Sequence, residues 1–87
     1  MDHLWIRVAD VAASKRYYEA LAPHAGFRLQ ADLPQRAQFV GQTGSFSVVL
    51  GEPTKNLEIA FRMVRPGYAG RELDPDGNRV ELLPQPR

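Results

Sequence analysis

Between Arg71 and Leu83 the chain reads RELDPDGNRVELL, a stretch that leaves few conformations open. Proline presets its backbone for the second position of a tight turn, and glycine enters the left-handed region without strain. With Asp74-Pro75-Asp76-Gly77 as a type I turn, Gly77 left-handed and a bulge at Asn78, the flanks pair in one register. Leu73 then faces Arg79, Glu72 faces Val80 and Arg71 faces Glu81. Val80 and Leu82 take one face of the hairpin and Glu81 takes the other. The Arg71 and Glu81 side chains are either an exposed ion pair worth ~0–1 kcal/mol or one side of a binding site.

The remaining segments say what this hairpin folds against. Residues 3–8, HLWIRV, alternate with the period of a half-buried strand, with Leu4, Ile6 and Val8 on one face and His3, Trp5 and Arg7 on the other. Asp10 is placed to cap a helix over 11–21, in which Ala13, Tyr17, Ala20 and Leu21 lie at helical spacing, and Pro23 with Gly26 stops it. Three strands are predicted over 27–31, 37–40 and 46–50, broken by turn-forming residues at 33–36 and 41–44. This half reads βαβββ. The second half opens with an alternating strand over 57–64. Arg65-Pro66-Gly67 then leads without a helix into a strand over 68–73 and the hairpin, so this half reads βββ. Laying HLWIRV on EIAFRM (58–63) puts Glu58 where His3 stands, Ala60 where Trp5 stands and Arg62 where Arg7 stands. Any two alternating strands align about this well, so the repeat is weak taken alone.

Composition removes several classes of function. A chain of 87 residues reads as a single domain, 1–87, with a first unit over 1–52 and a second over 57–84. A chain this small buries only about 60–65% of its unfolded surface, which raises the expectation of a partner copy. With a net charge of +1 and its lysines and arginines scattered, it presents no field suited to nucleic acid. Cysteine is absent, which excludes disulfides, thiolate catalysis and cysteine-ligated zinc. MDHLWIRV has neither a basic leader followed by a long apolar run nor a membrane span, and a cytoplasmic setting is expected. Ser14, Ser45 and Ser47 have no His–Asp partnership by spacing, and no glycine-rich phosphate loop occurs, so no nucleotide or organic cofactor is expected.

The pieces DHLWIRVADVAASKRYYEAL, LEIAF and YAGRELDPDGNRVELL resemble the opening helix unit, mid-chain strand and closing hairpin of the vicinal oxygen chelate superfamily. That superfamily includes glyoxalase I, bleomycin-resistance proteins and extradiol dioxygenases. The resemblance implies an α+β fold of two βαβββ modules whose sheets curl round a cleft. A full second module would need another helix and another strand, roughly 25 to 30 residues with their connections, and only residues 63–67 stand there. The expectation is therefore a βαβββ module followed by a truncated βββ module, in a curved, mostly antiparallel arrangement with one helix.

The resemblance also implies a site. Family members bind a divalent metal through a His at the position of His3 and a Glu at that of Glu81, and Glu58 stands where a third ligand is often placed. One divalent ion on His3, Glu58 and Glu81 is thus one expectation, with Glu52 as a further candidate ligand. Alternation puts Trp5, Arg7, Ala60, Arg62 and Arg71 on the same face, and three guanidiniums there oppose a bound cation. Trp5, Arg7, Arg62 and Arg71 instead suit a flat or anionic small molecule. Three readings stand side by side: a small-molecule binding protein, a metal-dependent enzyme, and an assembly module without catalysis. Tyr17 and Tyr18 are expected in the core, and His24 in a loop without a catalytic role. Finally, the missing helix would leave Ile59, Phe61, Met63, Val80 and Leu82 uncovered, which predicts a homodimer or higher oligomer through that face.

Overall fold

A computed structural model of the chain describes residues 3–42, 44–65, 67 and 69–84. Strand β1 (His3–Val8) leads into helix α1 (Val11–Leu21), and a 3-10 turn (Ala22–Ala25) leads on to β2 (Arg28–Leu33), β3 (Arg36–Val40) and β4 (Ser45–Leu50). The second half consists of β5 (Glu58–Arg62), β6 (Gly70–Leu73) and β7 (Arg79–Leu83), and no second helix occurs among the described residues. The truncated second module expected from the sequence is thus present. The predicted strand over 68–73 begins on Tyr68, which lies outside the described residues.

The seven strands form two sheets, one of four strands in the order β1-β4-β3-β2 and one of three in the order β5-β7-β6. Each sheet has the same plan. The opening strand of the module runs parallel to its closing strand, β1 to β4 and β5 to β7, and the remaining pairings are antiparallel. The sheets are accordingly mixed, with three antiparallel pairings and two parallel ones. Besides a second helix, the second module shows no counterpart of edge strand β2 among the described residues, and its inner ladder is whole. In the shared plan His3 pairs with Ser45 as Glu58 pairs with Arg79, and Trp5 pairs with Ser47 as Ala60 pairs with Glu81. This gives the weak repeat between 3–8 and 58–63 a structural counterpart.

Helix α1 starts where Asp10, in an extended conformation, accepts a hydrogen bond from the Ala13 N–H at 3.1 Å. It ends in the 3-10 turn, which Gly26 closes at φ 82°. Its buried stripe is Val11, Ser14, Tyr18 and Leu21. The sequence had pointed to Ala13, Tyr17, Ala20 and Leu21, but Ala20 is exposed and the other two before Leu21 are half-buried. The face is turned toward Tyr18, whose ring lies 5.5 Å from that of Phe46 in the four-stranded sheet and 6.4 Å from that of Phe61 in the three-stranded one.

One helix therefore serves both sheets, and this corrects the reading of the apolar face of the second module. Ile59, Phe61, Met63, Val80 and Leu82 are all buried within a single copy of the chain, in one cluster with Ile6, Val8, Phe39, Phe46 and Val48. Phe61 packs at 5.3 Å from Phe46 and 6.0 Å from Phe27. Their cover comes from this chain's own first module, so they supply no reason for a partner at that face.

The hairpin closes as its residues require. The Gly77 N–H donates to the Asp74 carbonyl at 2.9 Å, the Asp74 N–H donates to the Asn78 carbonyl at 2.9 Å, and Gly77 sits at φ 84°. The pairings Leu73–Arg79, Glu72–Val80 and Arg71–Glu81 follow. The turn is also a tertiary joint. The buried Asp74 carboxylate accepts from the Tyr18 hydroxyl at 2.7 Å and from the Asp76 and Asn78 N–H groups at 3.0 and 2.8 Å. The buried Asn78 amide accepts from the Leu57 N–H at 2.9 Å and donates to the Thr54 carbonyl at 2.8 Å.

Candidate functional site

On the face of the three-stranded sheet opposite the core, strand alternation sorts the side chains into two rows. Glu58, Arg79 and Leu73 lie in register across β5, β7 and β6, and Ala60, Glu81 and Arg71 form the next row. Glu58, Arg71, Leu73, Arg79 and Glu81, with Glu72 and Val80 beneath, line an open cleft of about 590 Å³. Arg71 approaches the Glu81 carboxylate with Nε 3.8 Å from Oε2, but 87% of its side chain is exposed, so the pair is a loose one. Glu58 and Arg79 are direct neighbours of opposite charge, yet their side chains form no ion pair among the described residues. Leu73 is 65% exposed at the end of its row.

Glu72 alternates to the helix side, where its carboxylate accepts from the Tyr17 hydroxyl at 2.6 Å. Burial first, and then this hydrogen bond, pushes the Tyr17 phenol above the ordinary tyrosine value. Tyr18 is raised in the same way, by burial and then by its bond to the Asp74 carboxylate. Both tyrosines are therefore held protonated as donors that tie α1 to β6 and to the turn. They are structural, as their place in the helix suggested.

The other predicted residues lie elsewhere. His3, Trp5 and Arg7 stand on β1, at the edge of the four-stranded sheet. The His3 ring is engaged by the Ser45 and Ser47 hydroxyls and lies edge-on to Trp5 with ring centres 5.0 Å apart. Trp5 is 55% exposed and carries a guanidinium 4.9 Å from its ring centre. That guanidinium belongs to Arg36 on β3, not to Arg7. Arg7 Nε is spent on the Glu52 carbonyl at 3.1 Å, and Arg62 donates to the Pro84 carbonyl at 3.2 Å. Of the four residues expected to bind ligand, Arg71 alone lies in the cleft with Glu58 and Glu81. Arg79 and Leu73 in the cleft and Arg36 beside Trp5 lie beyond the site residues expected from the sequence. The first two share the parity of Glu81 and Arg71, so the same alternation that selected those residues marks them too.

Glu58 and Glu81 share the cleft, while His3 belongs to the other sheet with its ring nitrogens turned to serines. Among the described residues no three His, Asp or Glu side chains gather so as to hold an ion, and Glu52 adds none. Among the described residues of one copy, Glu58 and Glu81 therefore share the cleft without a third donor.

No family model matches the sequence, and no curated protein matches it. Solved structures do. A glyoxalase/bleomycin-resistance protein from Albidiferax ferrireducens T118 superposes with a TM-score of 0.77 at 20% identity, over 99% of this chain and 98% of that one. This chain has the glyoxalase/bleomycin-resistance fold. A bleomycin-binding protein solved with bleomycin superposes at 0.61 with 12% identity, over 100% of this chain and 98% of that one. A protein from Bacillus halodurans reaches 0.81 at 15% identity, over 99% and 95% of the two chains. The glyoxalase/bleomycin-resistance fold inferred from the helix unit and the closing hairpin is thus the fold observed. No helix among the described residues is long and apolar enough to cross a membrane.

Proposed function

We propose that this chain is a cytoplasmic small-molecule binding protein whose ligand lies on the open face of the three-stranded sheet. The observation that carries the reading is the cleft of about 590 Å³ in which Glu58 and Arg79 stand side by side without being spent on each other. Its volume falls within the ~300–1,000 Å³ usual for small-molecule sites. The fold is shared with a bleomycin-binding protein solved with bleomycin, which supports small-molecule binding as a use of this scaffold. The metal-dependent enzyme reading lacks such support, because His3 does not join Glu58 and Glu81 within one copy. A homodimer is part of the proposal, through the open face of the four-stranded sheet, where Trp5 and Leu33 are each more than half exposed.

The test is a thermal-shift and NMR screen of the purified chain against a library of charged and aromatic small molecules, with elemental analysis of protein prepared without chelator. Hits that move the amide signals of Glu58, Arg79 and Glu81, and are weakened by Glu58→Gln or Arg79→Gln, support the reading. A stoichiometric divalent metal, with activity lost on its removal, would transfer the site to the enzyme reading.

A further inference from the structure

The charges in the cleft say what kind of small molecule it can take. Two carboxylates, Glu58 and Glu81, and two guanidiniums, Arg71 and Arg79, stand on the open face, while the carboxylate of Glu72, the third acid of the lining, is turned to the Tyr17 hydroxyl on the helix side, so the charges on the open face balance. A ligand with net charge of either sign meets as much repulsion as attraction there, and gains little from the field of the site. A ligand carrying both charges can place each on its complement. The row of Glu58, Arg79 and Leu73 sets out that order: an acceptor for a cation, a fork for an anion and an exposed apolar side chain, on adjacent strands ~4.8 Å apart. No internal ion pair between Glu58 and Arg79 has to be broken for a ligand to engage both.

Resting on the binding function proposed above, we infer that the cleft selects a zwitterion of the α-amino-acid type with an apolar side chain. The ammonium donates to the Glu58 carboxylate, and the carboxylate takes a bidentate pair of hydrogen bonds from Arg79, the guanidinium fork being matched to that shape. The apolar side chain covers Leu73, which is otherwise 65% exposed. Arg71 and Glu81, loosely paired in the next row, keep that side of the cleft neutral.

The experiment is a ¹H–¹⁵N NMR titration of the full chain with L-phenylalanine, with N-acetyl-L-phenylalanine, which lacks the cation, and with L-phenylalanine amide, which lacks the anion. The expected result is saturable movement of the amide signals of Glu58, Leu73 and Arg79 by phenylalanine, with each blocked form at least tenfold weaker. Glu58→Gln should weaken phenylalanine about tenfold while leaving the N-acetyl compound unchanged, and Arg79→Gln should do the same with respect to the amide. Both residues are exposed, so neither substitution threatens the fold. Equal affinity for the free and blocked forms would overturn the inference. So would saturable movement of these signals by a singly charged or aromatic compound but not by phenylalanine, an outcome that leaves the binding function standing. Movement by no probe of any class would overturn both.

Discussion

Tyr18 does more for this protein than its neighbours in the helix, because it is buried among aromatic rings and its hydroxyl still finds an acceptor in Asp74. Tyr18→Phe keeps the ring but strips a hydrogen bond from a buried carboxylate, at an expected cost of about 1–3 kcal/mol in urea unfolding. The same contact predicts a dependence on pH. The Tyr18 and Tyr17 phenols are raised in the folded chain above their ordinary value of 10.0, by burial first and then by their carboxylate partners. Above pH 10 the unfolded chain releases protons that the folded chain keeps, so stability falls as pH rises. The stabilisation is fully present below about pH 10 and is lost progressively above it, a trend that unfolding curves between pH 8 and 11 would show. Tyr18→Phe should flatten that alkaline slope. By contrast, the exposed Arg71–Glu81 pair should matter little to folding, and Glu81→Gln should change stability by no more than ~1 kcal/mol.

The closing hairpin is the element whose form was most legible, since turn, bulge and register all follow from DPDGN and its alternating flanks. Gly77 is required for its backbone, not for space: it lies at φ 84°, and an added Cβ would meet nothing within 4 Å. Gly77→Ala should therefore cost about 1–2 kcal/mol, the strain of a left-handed non-glycine residue, and lower the urea midpoint with an unchanged slope. A change in slope would mean that the hairpin had lost its register. What the local pattern did not reveal is that the same turn binds the helix through Asp74 and the linker before β5 through Asn78. Turn chemistry explains Asp and Asn at those places, and their burial depends on segments 20 and more residues away.

At the level of the folded chain, helix α1 holds both sheets, and this changes what the second module's apolar residues predict. Phe61→Asp places a charge among Phe46, Phe27 and Tyr18. It should leave no cooperative unfolding transition at any protein concentration, and it should not yield a folded monomer, as circular dichroism with light scattering would reveal. Trp5→Asp, on the open face, should leave the fold intact. Light scattering at micromolar concentration should give a dimer for the wild type and a monomer for Trp5→Asp. A wild-type monomer would end the proposal of a dimer through that face.

Period and capping are local, and they were sufficient for α1, for β7 and for the order of the strands, because alternation, Asp10 and the Pro–Gly stops act within a few residues of themselves. The resemblance of the helix unit and hairpin to the glyoxalase/bleomycin-resistance proteins carried the rest of the architecture, down to the second helix and the one further strand that do not occur among the described residues. Alternation also told correctly which residues of β1, β5 and β7 avoid the core. It could not tell which strands share a cleft, since that depends on how the two sheets sit about α1. His3 and Trp5 were therefore grouped with Glu58 and Glu81 although they belong to another sheet, and Arg36 went unnoticed beside Trp5. The cover of Ile59, Phe61, Met63, Val80 and Leu82 was likewise beyond any pattern along the chain: it depends on Tyr18 and Phe46, which come from remote segments and meet those side chains when the core closes.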